Sequence, residues 1–294
     1  MDKRLKRILT GKFESLLPLA PAATSKSGAL FFTSANGSLI FKSIKSFEAK
    51  KMLRELPMYI AHFQANPESL LTKFCGLYYS SKNRMYFMVM KNIMPRSIEL
   101  KACYDLKGST HGRSVPPEKR KGPTSALQDL DLPGPLPLAS PGDYDKLQRL
   151  VQADAALLET LQTIDYSLLV CIGYPRGGSS DGGAWHSGGA EHYWIGIIDM
   201  LIHYDSRVAV GVLLQKVYKD ASWQPPTPYA QRFVAMAAKN FTVGSPVRQH
   251  QLLHKPGLYS PPAADGWPYA VYPGLYPPPL PLVPYLPAPY QAVA

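Results

Sequence analysis

The chain has 294 residues, with 32 Lys and Arg against 21 Asp and Glu, for a net charge of +11. That length buries a full core, as one two-lobed domain or two small ones, and the charge favours anionic partners: nucleic acid, acidic lipid or a polyphosphate. Three scattered cysteines without a CxxC argue against a disulfide framework or zinc site, and with no signal peptide and no apolar run near ~18 residues the expectation is an intracellular soluble protein.

Residues 1–12 interleave Lys3, Arg4, Lys6 and Arg7 with Leu5, Ile8 and Leu9, a pattern that suits an anionic membrane surface and, equally, a solvated terminus. In SKSGALFFTSANGSLIFKSI, residues 25–44, two apolar runs flank Asn36-Gly37 and predict a hairpin closed by a type I′ turn, with Gly28 ahead of the first strand and Lys42 within the second. From Ser46 the pattern turns helical: Ala49, Met52, Leu53, Leu56, Ile60 and Phe63 recur at three and four and predict one apolar face, which Pro57 kinks or interrupts. Glu48 and Glu55 are candidates for an ion pair with Lys42, against the plainer reading of exposed helix carboxylates. Strands are predicted over Phe74–Tyr79 and Arg84–Met90.

Next, YDLKGSTHGR gives a turn at Lys107, Gly108 and Ser109 in which a cation and free amides suit an anion, with Asp105 accepting the turn's own amides. Arg113, Lys119, Arg120 and Lys121 extend the positive face through a proline-rich loop, residues 114–142, that also contains LQDLDL. A helix is predicted over Tyr144–Thr163, then a buried strand over Leu168–Ile172. The Gly/Ser loop Pro175–Gly189 precedes a strand, Tyr193–Ile198, so it is no phosphate cradle; a flexible insertion accounts for His186, Glu191 and His192 better than a metal site does. Asp165 sits at the helix-to-strand turn and Asp199 follows the second apolar strand. Phosphoryl transfer wants one carboxylate to orient a hydroxyl and another to hold magnesium against phosphates. Two acids at the ends of buried strands are equally a common structural pattern. Residues 243–294 hold 13 of the 29 prolines and six tyrosines, a composition for extended polyproline conformations: a disordered linker, or a ligand for SH3- or WW-type grooves.

IDYSLL, residues 164–169, resembles the MDYSLL catalytic-loop motif of the phosphatidylinositol phosphate kinases, IIDML resembles their IID(I/M/Y)L magnesium motif, and Tyr104–Arg113 carries their DLKGS signature. Residues 25–44 resemble the family's GKSGSFF…IIKT stretch, VMKNIMPRS its VMNNLLPRS hinge, LQDLDL its TLKDLDL, and Tyr229–Phe233 its YAERF landmark, so the likeness runs from about Ser25 to Phe241.

The resemblance implies an α+β, two-lobed lipid-kinase fold with an antiparallel N-terminal sheet and a mixed C-terminal lobe: a basic segment at 1–24 (an abbreviated lobe), a catalytic domain at 25–242 and a Pro/Tyr-rich tail at 243–294. It implies ATP and Mg²⁺ as cofactors, with Gly28 in the glycine-rich loop, Lys42 on the ATP phosphates, the backbone at Val89 and Met90 on adenine, and Asn92 bracing the hinge. Asp165, Lys107 and Asp105 make up the catalytic set, Asp199 holds magnesium, and Arg113, Gln215 and Lys216 face the substrate. The family's KKLEH run aligns roughly with Val212–Lys216 and its lysine pair is lost, which leaves Gln215 at the position that tracks lipid isomer. Pro95-Arg96-Ser97 favours the 4-phosphate 5-kinases, hence conversion of phosphatidylinositol 4-phosphate to the 4,5-bisphosphate at the cytoplasmic face of the plasma membrane. The rival within the family is an inactive phosphoinositide-binding pseudoenzyme. A nucleic-acid binder is disfavoured because the basic clusters lack interleaved aromatics, and an ordinary protein kinase because neither HRD nor DFG occurs.

Overall fold

Short alternating apolar runs build the first sheet: β1 (Leu17–Pro18), β2 (Phe31–Thr33), β3 (Leu39–Ile44), β4 (Phe74–Ser80) and β5 (Met85–Lys91), in the order β1-β2-β3-β5-β4 with every pair antiparallel. The structure, a computed structural model, describes residues 17–18, 28–94, 98–120, 122–175, 184–205, 208 and 223–244, all within a first unit, Met1–Gln249. A second unit, His250–Ala294, lies outside the described residues.

The β2–β3 hairpin forms as predicted, but its turn differs. The loop spans Ser34–Ser38, the Gly37 amide donates to the Ser34 carbonyl at 2.8 Å, and the Asn36 side chain accepts from the Ser38 amide at 3.1 Å. Only Gly37, at φ +70°, takes left-handed backbone there, whereas a type I′ turn needs positive φ at both central residues.

α1 (Ser46–Ala65) runs through Pro57 as one 20-residue helix. Its buried residues are Ala49, Lys51, Met52, Glu55 and Tyr59, while Leu53 and Ile60 are 58% and 49% exposed, so the predicted apolar face is rotated. The N-terminal half packs Ala49 and Met52 on Ile44, Met88 and Met90. Beyond that the helix meets polar groups: His62 Nε2 lies 2.6 Å from the buried carboxylate of Asp154, which also accepts from the Ser69 hydroxyl and the Leu70 amide, both at 2.7 Å. Thr72 then bonds the Ile197 carbonyl through amide and hydroxyl, at 3.0 and 2.7 Å, which sews this segment to the second sheet.

That sheet is mixed. Its strands are β6 (Ile98–Leu106), β7 (Ala126–Leu127), β10 (Ser167–Pro175), β11 (Trp185–His186) and β12 (His192–Ile198), in the order β11-β12-β10-β6-β7, with β6 and β7 parallel. Leu168, Val170 and Ile172 of β10 and Tyr193 and Ile197 of β12 enter one core with α2 (Pro141–Thr160) and α3 (Pro226–Asn240), through Leu147, Val151, Leu158, Tyr229 and Phe233. β8 (Leu136–Leu138) and β14 (Phe241–Val243) close its flank as a parallel pair. An antiparallel sheet, a long helix and a mixed sheet under helices make up the α+β fold that the sequence implied.

α2 begins at Ser140, whose hydroxyl accepts from the Asp143 amide at 3.1 Å, and stops at Thr160, short of the predicted Thr163. Gln162, at φ +51°, turns the chain out of the helix and into β9 (Thr163–Ile164).

The cysteines correct the sequence reading. Cys103 of β6 and Cys171 of β10 are directly opposed across the ladder, with Cα atoms 4.2 Å apart, and are joined as a disulfide. Register between strands 68 residues apart is not visible as cysteine spacing.

Candidate active site

Two short strands put the two acids into one neighbourhood. β9 pairs antiparallel with β13 (Ile202–His203), Ile202 opposite Ile164 and His203 opposite Thr163. Asp165 follows β9 directly and Asp199 comes three residues before β13, so this ladder ties their positions together. Both hold left-handed backbone, Asp165 at φ +64° and Asp199 at φ +62°. Non-glycine residues are uncommon in that region, and aspartate is among those that tolerate it. Arg84 and Gln162 share the conformation, so it is the repetition at both acids, together with their lysine partners, that draws attention to this pair.

Each carboxylate meets a lysine. Lys107 Nζ binds the Asp165 carboxylate and donates to its carbonyl at 2.7 Å; Lys42 Nζ binds the Asp199 carboxylate and lies 5.5 Å from the Phe31 ring centroid. Both lysines are largely buried, whereas the Asp165 and Asp199 side chains remain 25% and 45% exposed. Water therefore reaches both acids while their lysine partners stay largely covered.

The turn that carries Lys107 is organised by a residue the sequence reading passed over. Asp129 accepts from the Lys107 amide at 3.0 Å and the Gly108 amide at 2.7 Å, and its other oxygen takes Arg113 Nε at 2.7 Å. Asp105, expected to hold those amides, instead pairs with Arg113 at 2.8 Å. The amides of Lys107 and Gly108 are thus already bound by a carboxylate and are not open to an anion. Arg113, expected to face substrate, is buried; burial opposes its charge, but Asp105 and Asp129 outweigh that and raise its pKa. From α3, Arg232 Nε donates to the Lys107 carbonyl at 3.2 Å. Gly108 is at φ +71°, and a Cβ there would stand 2.8 Å from the Met236 Cβ, so only glycine lets α3 approach.

α3 also braces the loop of Asp165. Tyr229 donates its hydroxyl to the Tyr166 carbonyl at 2.5 Å, and Tyr166 meets the Tyr229 and Phe233 rings edge-on at 4.7 and 4.8 Å. Burial, reinforced by Asp165, pushes the Tyr229 phenol well above its ordinary range, so it serves as a donor. The YAQRF landmark is therefore helix and scaffold, and the LQDLDL landmark supplies Asp129. Both stretches stood out in the sequence, but neither was read for a role.

Gly28 precedes β2 at φ +68°, with open space where a Cβ would be. Neither predicted glutamate reaches Lys42: Glu48 accepts the Lys45 amide at 2.6 Å as part of the helix cap, and Glu55 pairs with Lys51 at 2.5 Å and Arg54 at 2.9 Å. Val89 and Met90 lie mid-sheet, each with partners in both β3 and β4 and with buried side chains, so they offer no free strand edge to a base. Asn92 lies just past the end of β5, where its side-chain amide donates to the Gly37 carbonyl at 2.8 Å and its Oδ1 accepts from the Met94 amide at 3.2 Å. Pro95–Ser97, Gln215 and Lys216 lie outside the described residues. Among the described residues no cluster of three or more His, Cys, Asp or Glu side chains surrounds a metal position.

The family model for Phosphatidylinositol-4-phosphate 5-Kinase matches residues 19–185. Similar curated proteins include a phosphatidylinositol 4-phosphate 5-kinase of Plasmodium falciparum, 34% identical over 59% of this chain and 11% of that protein. A probable phosphatidylinositol phosphate kinase of Dictyostelium discoideum is 37% identical over 51% of this chain and 22% of its own length. The human type-1 alpha phosphatidylinositol 4-phosphate 5-kinase is 35% identical over 51% of this chain and 28% of its own. The chain thus spans well under a third of the length of these relatives. With the matched region covering more than half of its residues, the chain belongs to the phosphatidylinositol-4-phosphate 5-kinase family.

Proposed function

We propose that the chain transfers the γ-phosphoryl group of ATP to the inositol 5-hydroxyl of phosphatidylinositol 4-phosphate. One observation carries this reading within the family: two carboxylates on left-handed backbone, each bound to a buried lysine and tied together by the β9–β13 ladder. In the reaction the inositol oxygen bonds to the γ-phosphorus as the bond to the β–γ bridging oxygen of ATP breaks, and ADP leaves. Asp165 accepts the hydroxyl proton and aims the oxygen, and Lys107 fixes that carboxylate. The transition state is loose and highly charged, so placing these groups supplies most of the catalysis. Lys42 binds the nucleotide phosphates. Magnesium neutralises phosphate charge when bound with nucleotide, and Asp199 would hold it: Mg²⁺ usually takes one or two carboxylates with phosphates and water completing its shell, which suits a single half-exposed aspartate.

The charge of +11 suits peripheral attachment to anionic lipid on the cytoplasmic face of a membrane, and the proline-rich tail suits an SH3- or WW-type groove. Preference for the 4-phosphate rests on Pro95-Arg96-Ser97, with Gln215 as the position that modulates it.

The test is labelled ATP with each monophosphorylated phosphoinositide in vesicles, products resolved by isomer. Phosphatidylinositol 4-phosphate should give the 4,5-bisphosphate, and Asp165→Asn should lower turnover by ~10²–10⁴-fold. A folded chain that phosphorylates none of the lipids, or an Asp165→Asn variant within a few-fold of wild type, would overturn the assignment.

A further inference from the structure

Lys51 is 3% exposed, and so is no ordinary helix lysine. Its ammonium lies 2.5 Å from the Glu55 carboxylate, one turn on in α1, and 2.8 Å from the hydroxyl of Thr163. Thr163 is fully buried and stands two residues ahead of Asp165, opposite His203 in the β9–β13 ladder. The helix that packs on the first sheet thus reaches, through one side chain, the ladder that positions both acids.

Stability is a weak reason for such an arrangement. Removing a lysine and a glutamate from water costs several kcal/mol per ion, and replacing a buried pair by apolar side chains of similar size is often neutral or stabilising. Burial also lowers the Lys51 pKa despite the opposing effect of Glu55. Geometry gives such a pair another use. An ammonium with one partner on its own helix and a second on β9 fixes the distance between them, whereas an apolar contact tolerates sliding.

We infer that Lys51 is a positioning residue: held by Glu55, it tethers α1 to Thr163 and so sets the β9–β13 ladder and the two aspartates attached to it. It touches neither substrate nor reacting atom. The inference rests on the activity proposed above, so its test includes a reading independent of turnover.

The experiment compares the full chain with Lys51→Met/Glu55→Leu, which removes the pair without leaving a lone buried charge, and with Thr163→Val, which removes only the hydroxyl. Three quantities are read: the denaturation midpoint, kcat and KM for ATP on vesicles containing phosphatidylinositol 4-phosphate, and hydrogen exchange resolved by peptide. The tether predicts an unchanged or higher midpoint for the double variant. It also predicts a fall in kcat of about tenfold or more, because small misplacements of reacting groups are costly, with KM for ATP held within about twofold. Exchange should rise in peptides covering 161–166 and 199–205 and stay unchanged in β6 and β10. Thr163→Val should reproduce the kinetic and local exchange changes. Unchanged exchange in both ladder peptides would overturn the tether, as would a lower midpoint with exchange raised throughout, the mark of a purely structural pair. If the wild-type chain phosphorylates no lipid, the activity reading falls by itself, and the exchange comparison still decides the tether.

Discussion

Lys107 with Asp165 and Lys42 with Asp199 are pairs of the same chemistry, built in opposite ways. Behind the first stands a shell of fixed partners: Asp129 on the amides of Lys107 and Gly108, Arg113 between Asp129 and Asp105, Arg232 on the Lys107 carbonyl, and Tyr229 and Phe233 against Tyr166. Every one of these belongs to the second sheet, its connecting loops or α3. The second pair joins a lysine on β3 of the first sheet to an aspartate that follows β12 of the second, and its carboxylate is nearly half exposed. The contrast teaches a division of labour. On the roles proposed above, the carboxylate that would aim a hydroxyl is held from behind, as a pre-set group should be, and the groups that would receive a nucleotide are held across two sheets.

The strongest way to break this comparison is to remove the brace. Asp129→Ala strips both turn amides of their acceptor and leaves the buried Arg113 guanidinium with one carboxylate in place of two. Taking one partner from a buried ion pair typically costs 3–5 kcal/mol, so the chemical-denaturation midpoint should fall by a corresponding amount. A loss below ~1 kcal/mol would mean the turn is held by something else.

Next in size is Gly108→Ala. Alanine at φ +71° is strained, and its methyl would meet Met236 at 2.8 Å. The expected cost is roughly 2–3 kcal/mol, with α3 pushed away from Lys107 and turnover lowered alongside. The same change at Gly28, also left-handed but with open space around it, should cost only the backbone strain. Paired melting curves give the difference, and equal losses would remove close packing from the account of the braced side.

The motifs made much of this architecture legible, for a physical reason. Asp165 and Asp199 each end a locally encoded unit, a helix-to-strand turn and an apolar strand, and Lys42 sits in a hairpin that Asn36-Gly37 announces. What escaped is tertiary. Asp129 lies 22 residues from Lys107, and nothing in LQDLDL says which amides its carboxylate will meet. Arg113 belongs to a charge-rich loop that usually stays in solvent, and only the convergence of Asp105 and Asp129 brings it inside. In α1, hydrophobicity pointed to Leu53 and Ile60 as core, yet the helix turns Lys51, Glu55 and His62 inward, because half of it covers a polar seam between the sheets. Periodicity reads apolar burial well and is blind to a face buried by ion pairs.

A smaller effect concerns pH, again on the braced side. Burial alone would raise the Asp131 carboxyl; the amides of Gln128 and Val115, the Ser114 hydroxyl and Arg120 together outweigh it and hold the pKa below 3.8. With the folded value below the unfolded one, this stabilisation is fully present above about pH 3.8 and is lost as pH falls through the lowered folded value. Asp131→Asn should therefore lower stability at neutral pH by about 1–2 kcal/mol and make the acid limb shallower. Denaturation midpoints from neutral pH down through that range test it, and a variant whose acid limb matches wild type would remove Asp131 as a cause.

The smallest expected change in stability is at the other pair, and it is the sharpest test of the contrast. Asp199→Asn removes the charge that meets Lys42 but keeps the side chain's shape, and asparagine tolerates the left-handed backbone at φ +62° as aspartate does. The carboxylate is 45% exposed, so solvent screens the pair and its contribution should stay within about 1 kcal/mol. Turnover, in contrast, should collapse together with its dependence on magnesium, since the residue proposed to hold the ion has lost its charge. Asp129→Ala should lower the denaturation midpoint severalfold more. A drop for Asp199→Asn as deep as that for Asp129→Ala would show the nucleotide-side pair to be as firmly built as the hydroxyl-side one, and the division of labour drawn from their surroundings would fail.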